Sequence, residues 1–355
     1  MAQGSIEGLI RKHGPIDLER FMALAVQNYY AQGAAFGREG DFTTAPEISQ
    51  IFGELIGAWC CLIWESLGSP AYFHLVELGP GRGALMTDLL RAAQMMPGFQ
   101  KAARLHLVET SPALRVLQAK ALDGYAPQWH DRFESIPNDA PMILVANEFL
   151  DALPIRQYVR HQDGWRERLI GLDERGKLAW QTKPEPDPNL ALPPHMAEAA
   201  DGNIAETCPQ ALALVKALAD RLGQCGGAAL FFDYGPMESG LGDSLQAVKG
   251  HAFAEVLQDP GGADLTAHVD FAALARQAVA QGVKAWGPVP QGVWLQRMGI
   301  LERTRQLSAQ ADDRQRDLLI SGTRRLIDPQ EMGTLFKVLA LTQPAVSAPT
   351  GFEVT

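Results

Sequence analysis

Residues 73–83, Phe-His-Leu-Val-Glu-Leu-Gly-Pro-Gly-Arg-Gly, constrain this chain more than any other stretch. An apolar run ends in an acid and passes straight into Gly79, Gly81 and Gly83, after which apolar residues recur at helical spacing through 85–93. That order predicts a buried strand, a tight turn and a helix. Glycine permits positive φ and leaves the backbone open to a ligand. The turn therefore predicts a nucleotide-type site in an open α/β sheet.

The spacing is GxGxG, not the GxGxxG that cradles a dinucleotide pyrophosphate, and Glu77 stands two residues before the first glycine. An acid at that place suits an ammonium better than a phosphate. S-adenosylmethionine (SAM) carries an ammonium and a sulfonium, so the expected cofactor is SAM. Both features oppose the enzyme alternative, a nicotinamide-dependent oxidoreductase. Residues 104–109 read as a second strand ending in Glu109, placed for the ribose hydroxyls. The competing role for Glu109 is at the start of the next helix, where Ser111 and Pro112 are start signals.

With 355 residues, 46% hydrophobic and 20% charged, the chain has enough apolar material for one large domain or two modest ones. A net charge of -10 opposes a nucleic-acid partner, which needs a basic face. Cys60, Cys61, Cys208 and Cys225 have no CxxC spacing and read as reduced thiols of a cytoplasmic protein. The first residues, with Glu7 and Asp17, make a poor transit peptide, and no run approaches the ~20 apolar residues of a membrane span. No zinc-like spacing of His, Cys and acids occurs, so no metal is expected, and no GxSxG elbow marks a hydrolase.

Two short helical patterns flank Gly14-Pro15, the second with Asp17 as N-cap. A charged, turn-rich loop over 36–47 precedes a long helix over 47–67. From 73 onward strands and helices alternate, which predicts a parallel sheet. Residues 127–131 form a weak third strand and 142–146 a buried fourth, followed by Asn147, Glu148 and Asp151 at the sheet edge that binds ligands. Hairpin signals at Asp163-Gly164 and Arg175-Gly176 predict an inserted antiparallel meander over 155–182. A proline-rich linker, a helix over 210–224 and a buried strand over 228–234 follow. Residues 243–251 read as a further strand, and a helix starts near Phe271, capped by Asp264 or Thr266. A strand over 283–286, helices near 300–310 and 312–326, and a last strand over 336–341 complete the reading.

Methyl transfer from a sulfonium is a direct displacement that needs alignment and a proton acceptor. Glu148 and Asp151, three residues apart, could grip a guanidinium through paired charged hydrogen bonds; equally, they could be first-turn acids of a helix. His268 is the candidate proton shuttle, against the commoner structural role of a lone histidine, and Asn147 lies beside the acceptor position.

Six segments, 37–49, 76–83, 108–111, 146–154, 232–235 and 264–271, resemble the MidA-like family, which includes a mitochondrial complex I assembly factor with protein arginine methyltransferase activity. The resemblance implies a class I (Rossmann-like) methyltransferase sheet of the α/β class, with a helical N-terminal segment, inserted antiparallel strands and helical C-terminal additions. It implies that the 37–49 loop faces cofactor and acceptor, bringing Arg38, Glu39 and Asp41 to the substrate. The expected division is 1–70, helical with that loop; 71–299, the SAM-binding core; and 300–355, helices and a final strand. In this reading Glu77, Gly79, Gly81 and Gly83 hold the methionine end, Glu109 the ribose and Asp131 the adenine. Glu148, Asp151 and His268 are the catalytic candidates. The expected partner is a protein substrate, with a complex I subunit as one candidate and homodimerisation compatible. The rival is an assembly chaperone that keeps a SAM pocket without turnover.

Overall fold

The computed structural model describes residues 6–31, 44–250 and 252–353. Its centre is a seven-stranded sheet of β1 (Phe73–Leu78), β2 (Ala103–Val108), β3 (Gln128–His130), β4 (Met142–Asn147), β5 (Gly227–Tyr234), β6 (Lys284–Pro290) and β7 (Phe336–Thr342), in the spatial order β6-β7-β5-β4-β1-β2-β3. The first five strands pair in parallel, while β7 is antiparallel to both β5 and β6. Every residue of β1 and β4 is buried, as expected of strands covered on both faces. β1 and β4 lie side by side, and their carboxyl ends deliver Glu77 and Asn147 to one edge. Ligands bind at that edge of a doubly wound sheet.

Helices cover both faces. One layer holds the helices Gln50–Ser66 and Ala84–Ala93, whose side chains pack with Phe73, Leu75 and Phe232. The other holds Pro209–Cys225 and Phe271–Ala280, packed on Val76, Leu144 and Phe231. The expected single helix over 47–67 is two, Ala45–Ile48 and Gln50–Ser66. Ser49 between them is extended (φ -153°, ψ 126°), and its hydroxyl accepts from the Ile51 N–H to cap the second helix. Within that second helix, Cβ atoms at Gly53 and Gly57 would stand 2.6 Å from Asp88 Cβ and 2.6 Å from the Leu89 carbonyl oxygen. Glycine at both places lets this helix lie directly against the helix that follows the glycine turn. Glu54, on the same helix, binds Arg91 at 3.0 Å and Arg303 at 2.7 Å and so ties the C-terminal helix Ile300–Ser308 to this layer.

The meander forms strands Arg156–His161, Gly164–Leu172 and Leu178–Thr182, extended by Ile204–Thr207, which hydrophobic periodicity did not single out. Ile16 and Asp17 pair with Leu169 and Ile170, so the N-terminal segment joins this inserted sheet rather than standing apart. Asp17 Oδ1 accepts from the Arg20 N–H at 2.7 Å, the expected cap. The cap expected of Asp264 or Thr266 is instead Asp270, whose carboxylate accepts from the Ala273 N–H. Residues 264–266 form a short strand with Gln246–Lys249, which removes them from the helix start. The helix Gln291–Arg297 was also unforeseen. Among the described residues no helix is long and apolar enough to cross a membrane.

Candidate active site

The turn after β1 adopts positive φ at all three glycines, +60° at Gly79, +52° at Gly81 and +86° at Gly83. A Cβ at Gly79 would stand 2.9 Å from Phe149, whereas one at Gly81 would meet nothing within 4 Å. Gly79 thus lets the post-β4 turn approach, and Gly81 presents bare backbone to open space. Glu77 beneath the turn is 3% exposed, and burial pushes its carboxyl up to about 8. Its Oε2 is buried with no hydrogen-bond partner among the described residues. A buried, unpartnered carboxylate oxygen beside a bare glycine turn fits the ammonium of SAM.

Glu109 follows β2. Its Oε1 accepts from the Ser111 N–H at 2.7 Å and its Oε2 from Gln118 Nε2 at 3.2 Å, while burial raises its carboxyl above the ordinary value. Ser111 caps the next helix, accepting from the Leu114 N–H at 3.4 Å, so Glu109 adds to that helix start. Asp131 lies past β3 with its side chain 82% exposed, paired with Arg115 at 2.7 Å. Arg115 also donates to the Glu109 carbonyl, which couples the ends of β2 and β3. Gln118, fully buried, was missed from sequence because a glutamine within an amphipathic helix carries no local signal.

On the acceptor side, Glu148 has φ +50°, a left-handed conformation uncommon outside glycine. Such strain gathers where function requires a particular side-chain direction. Its Oε1 accepts from the Ala45 N–H at 3.3 Å and from Asn147 Nδ2 at 3.2 Å. Burial lifts its carboxyl to about 7; nearby Glu47 raises it further, and Arg325 opposes. Asn147 Oδ1 and Asp151 Oδ1 are buried without partners among the described residues. Asp151 is held well above the ordinary carboxylate range by burial and then by Asp233.

Asp233, at the end of β5, accepts from the N–H groups of Leu150 at 2.9 Å, Asp151 at 3.2 Å and Tyr234 at 2.9 Å, and so fixes the 148–151 turn. It was not among the expected site residues, although its place resembles that of Glu77, an acid closing a central strand. His268 packs edge-on against Tyr234, with ring centroids 5.6 Å apart, and lines a cavity of about 740 Å³ with Leu150, Glu206 and Lys337. Desolvation, then Lys337, lowers its pKa, which favours the neutral ring. The structure thus gathers Glu77, the three glycines and Glu109 on one side, with Asn147 and Glu148 beside them. Asp151 and His268 both lie against Tyr234. Arg38, Glu39 and Asp41 fall outside the described residues.

Comparison with known proteins identifies the family. Residues 55–289 match the family described as S-adenosyl-L-methionine-dependent methyltransferase. The chain is 36% identical over 97% of its length to protein arginine methyltransferase NDUFAF7, mitochondrial, of Danio rerio, covering 89% of that protein. The Homo sapiens protein of the same name is 34% identical over 94% of this chain and 81% of its own. A COG1565 superfamily member from Burkholderia thailandensis, a likely methyl transferase by its description and bound to S-adenosyl-homocysteine, superposes with a TM-score of 0.79 at 25% identity. That match covers 98% of this chain and 92% of the other. The cytoplasmic expectation is corrected by these relatives, which are named as mitochondrial. Four cysteines without CxxC spacing do not single out the cytosol. The fold, the SAM-type site and the relatives agree: the chain belongs to the S-adenosyl-L-methionine-dependent methyltransferase family.

Proposed function

We propose that the chain transfers a methyl group from SAM to a guanidinium nitrogen of a protein arginine. The observation that carries this reading is Glu148, strained and half-buried, beside the glycine turn and with its carboxyl lifted to about 7. The names of the curated relatives support the same acceptor. When bound, SAM supplies an electrophilic methyl group. In this reading Glu77 meets its ammonium, the backbone at Gly79, Gly81 and Gly83 lies along its methionine end, Glu109 takes the ribose and Asp131 the adenine edge. Glu148 holds the guanidinium by charged hydrogen bonds and receives the proton that leaves the attacking nitrogen. Asn147 keeps the Glu148 carboxyl in place through its 3.2 Å contact. Asp151, kept protonated by burial, offers a hydrogen bond behind the turn, and neutral His268 provides a further proton acceptor at the cavity wall.

A subunit of respiratory complex I is our first candidate acceptor. The test incubates the protein with methyl-labelled SAM and complex I subunits, then locates the label by peptide mass spectrometry. Label on an arginine, lost when that arginine is replaced by lysine, is the expected result. Label confined to other residue types, with SAM binding intact, would overturn the arginine assignment.

A further inference from the structure

We infer that Gln118 is the positioning residue of the nucleoside site: its amide, held in one orientation by its contacts with Trp129, Gly81 and Glu109, keeps the Glu109 carboxylate toward the ribose and the glycine turn beside it. The inference rests on Glu109 as the ribose ligand.

Gln118 has no exposed surface, yet it carries a polar amide on the buried face of the helix Pro112–Ala121. An amide without partners there would be destabilising. Here each polar atom is used. Nε2 donates to the Gly81 carbonyl at 2.8 Å and to Glu109 Oε2 at 3.2 Å, and Oε1 accepts from Trp129 Nε1 at 2.9 Å. An indole N–H can only donate, and a carbonyl or carboxylate oxygen can only accept. Turning the amide over would set oxygen against oxygen twice and N–H against N–H once. Trp129, the Gly81 carbonyl and Glu109 together determine which end of Gln118 faces the turn.

This single side chain joins three strand ends. Trp129 is on β3, Glu109 follows β2, and Gly81 follows β1. Gln118 Cα lies 3.6 Å from where a Cβ on Gly83 would stand, so the helix seats directly under the turn. With Oε1 of Glu109 held by the Ser111 N–H, both carboxylate oxygens are anchored from the protein side. A carboxylate has about four lone-pair directions. The Ser111 and Gln118 contacts leave capacity for a ribose hydroxyl. An apolar residue could fill the same volume but would leave Glu109 Oε2, the Gly81 carbonyl and the Trp129 N–H without this partner.

Calorimetric titration tests this with two ligands, S-adenosylhomocysteine and an analogue lacking both ribose hydroxyls, on the native protein and on Gln118→Met, Trp129→Phe and Glu109→Ala. Gln118→Met should weaken S-adenosylhomocysteine about 10–100-fold while changing the analogue less than about threefold. Trp129→Phe, which takes the donor from Gln118 Oε1 and loosens the amide, should shift the same ligand about 3–10-fold in the same sense, and it carries the test if Gln118→Met does not fold. Equal weakening of both ligands by the Gln118 and Trp129 variants would reduce Gln118 to packing and overturn the inference. If Glu109→Ala also fails to discriminate between the ligands, the ribose assignment falls with it. If Glu109→Ala does discriminate, only the role of Gln118 falls.

Discussion

Gly57 lies so close to Leu89 that a Cβ placed on it would stand 2.6 Å from the Leu89 carbonyl oxygen, with no flexible side chain to give way. Gly57→Ala must push the helix Gln50–Ser66 away from the helix that follows the glycine turn. A loss of about 1–3 kcal/mol in denaturant unfolding is expected. The contrasting change is Gly223→Ala, which meets nothing within 4 Å in the helix Pro209–Cys225 and should gain about 0.5 kcal/mol from helix propensity. Similar unfolding midpoints for the two variants would refute the backbone-contact argument.

Glu77 keeps its proton in the folded protein up to about pH 8, against an ordinary 4.5. An ammonium requires the ionised form, so binding SAM at pH 7 should release about one proton, measured as a dependence of the binding heat on the buffer's ionisation enthalpy. Glu77→Gln should bind SAM weakly and without that release. The folded state holds the extra proton between the two values, so native stability falls as pH rises through this window. Glu77→Gln should gain on the native protein by about 1–3 kcal/mol between pH 5 and pH 8. An unchanged difference across that range would contradict the burial argument.

Glu148 is ionised only above about pH 7. If it receives the departing proton, turnover at saturating SAM rises with pH through that value. Glu148→Gln should lower kcat by about 10²–10⁴-fold while SAM affinity stays within about threefold. A variant that loses turnover only through weaker SAM binding would move Glu148 to the cofactor side.

His74 Nδ1 and His106 Nε2 are 2.9 Å apart, and His106 Nδ1 and His130 Nε2 are also 2.9 Å apart, a file of rings across β1, β2 and β3. Desolvation, and then the neighbouring histidines, lower His106 to about 4 from 6.5. The unfolded chain binds the proton first as pH falls, so this contribution to stability is full above 6.5 and is lost toward 4. His106→Phe should flatten the stability curve between those values by about 1–3 kcal/mol, measured by urea unfolding at a series of pH values. A slope equal to the native one would assign the acid sensitivity to other groups.

Much of this was legible in the chain because the central strands carry long apolar runs closed by polar groups. Glu77, Glu109 and Asn147 mark strand ends where the runs stop, and glycines mark the turn between them. What depends on contacts distant in sequence was not legible. Gln118 becomes a site residue only when Trp129 and Gly81 reach it. Asp233 gains its role by accepting N–H groups from residues more than eighty positions earlier. Residues 264–266 carry helix-start chemistry, yet pairing with Gln246–Lys249 outweighs that local preference. Gly53 and Gly57 have their reason in the neighbouring helix, which lies too close for a Cβ at either place.

β7 is made after every other strand of the central sheet, yet it lies between β5 and β6. During synthesis β5 therefore presents a bare edge, and β6 has no neighbour in this sheet, until residues 336–342 have left the ribosome. An unpaired apolar edge recruits other strands. A chain cut short before Phe336 is thus not a smaller enzyme but an unfinished sheet prone to self-association, and the interval between making β5 and β7 is where folding helpers matter most.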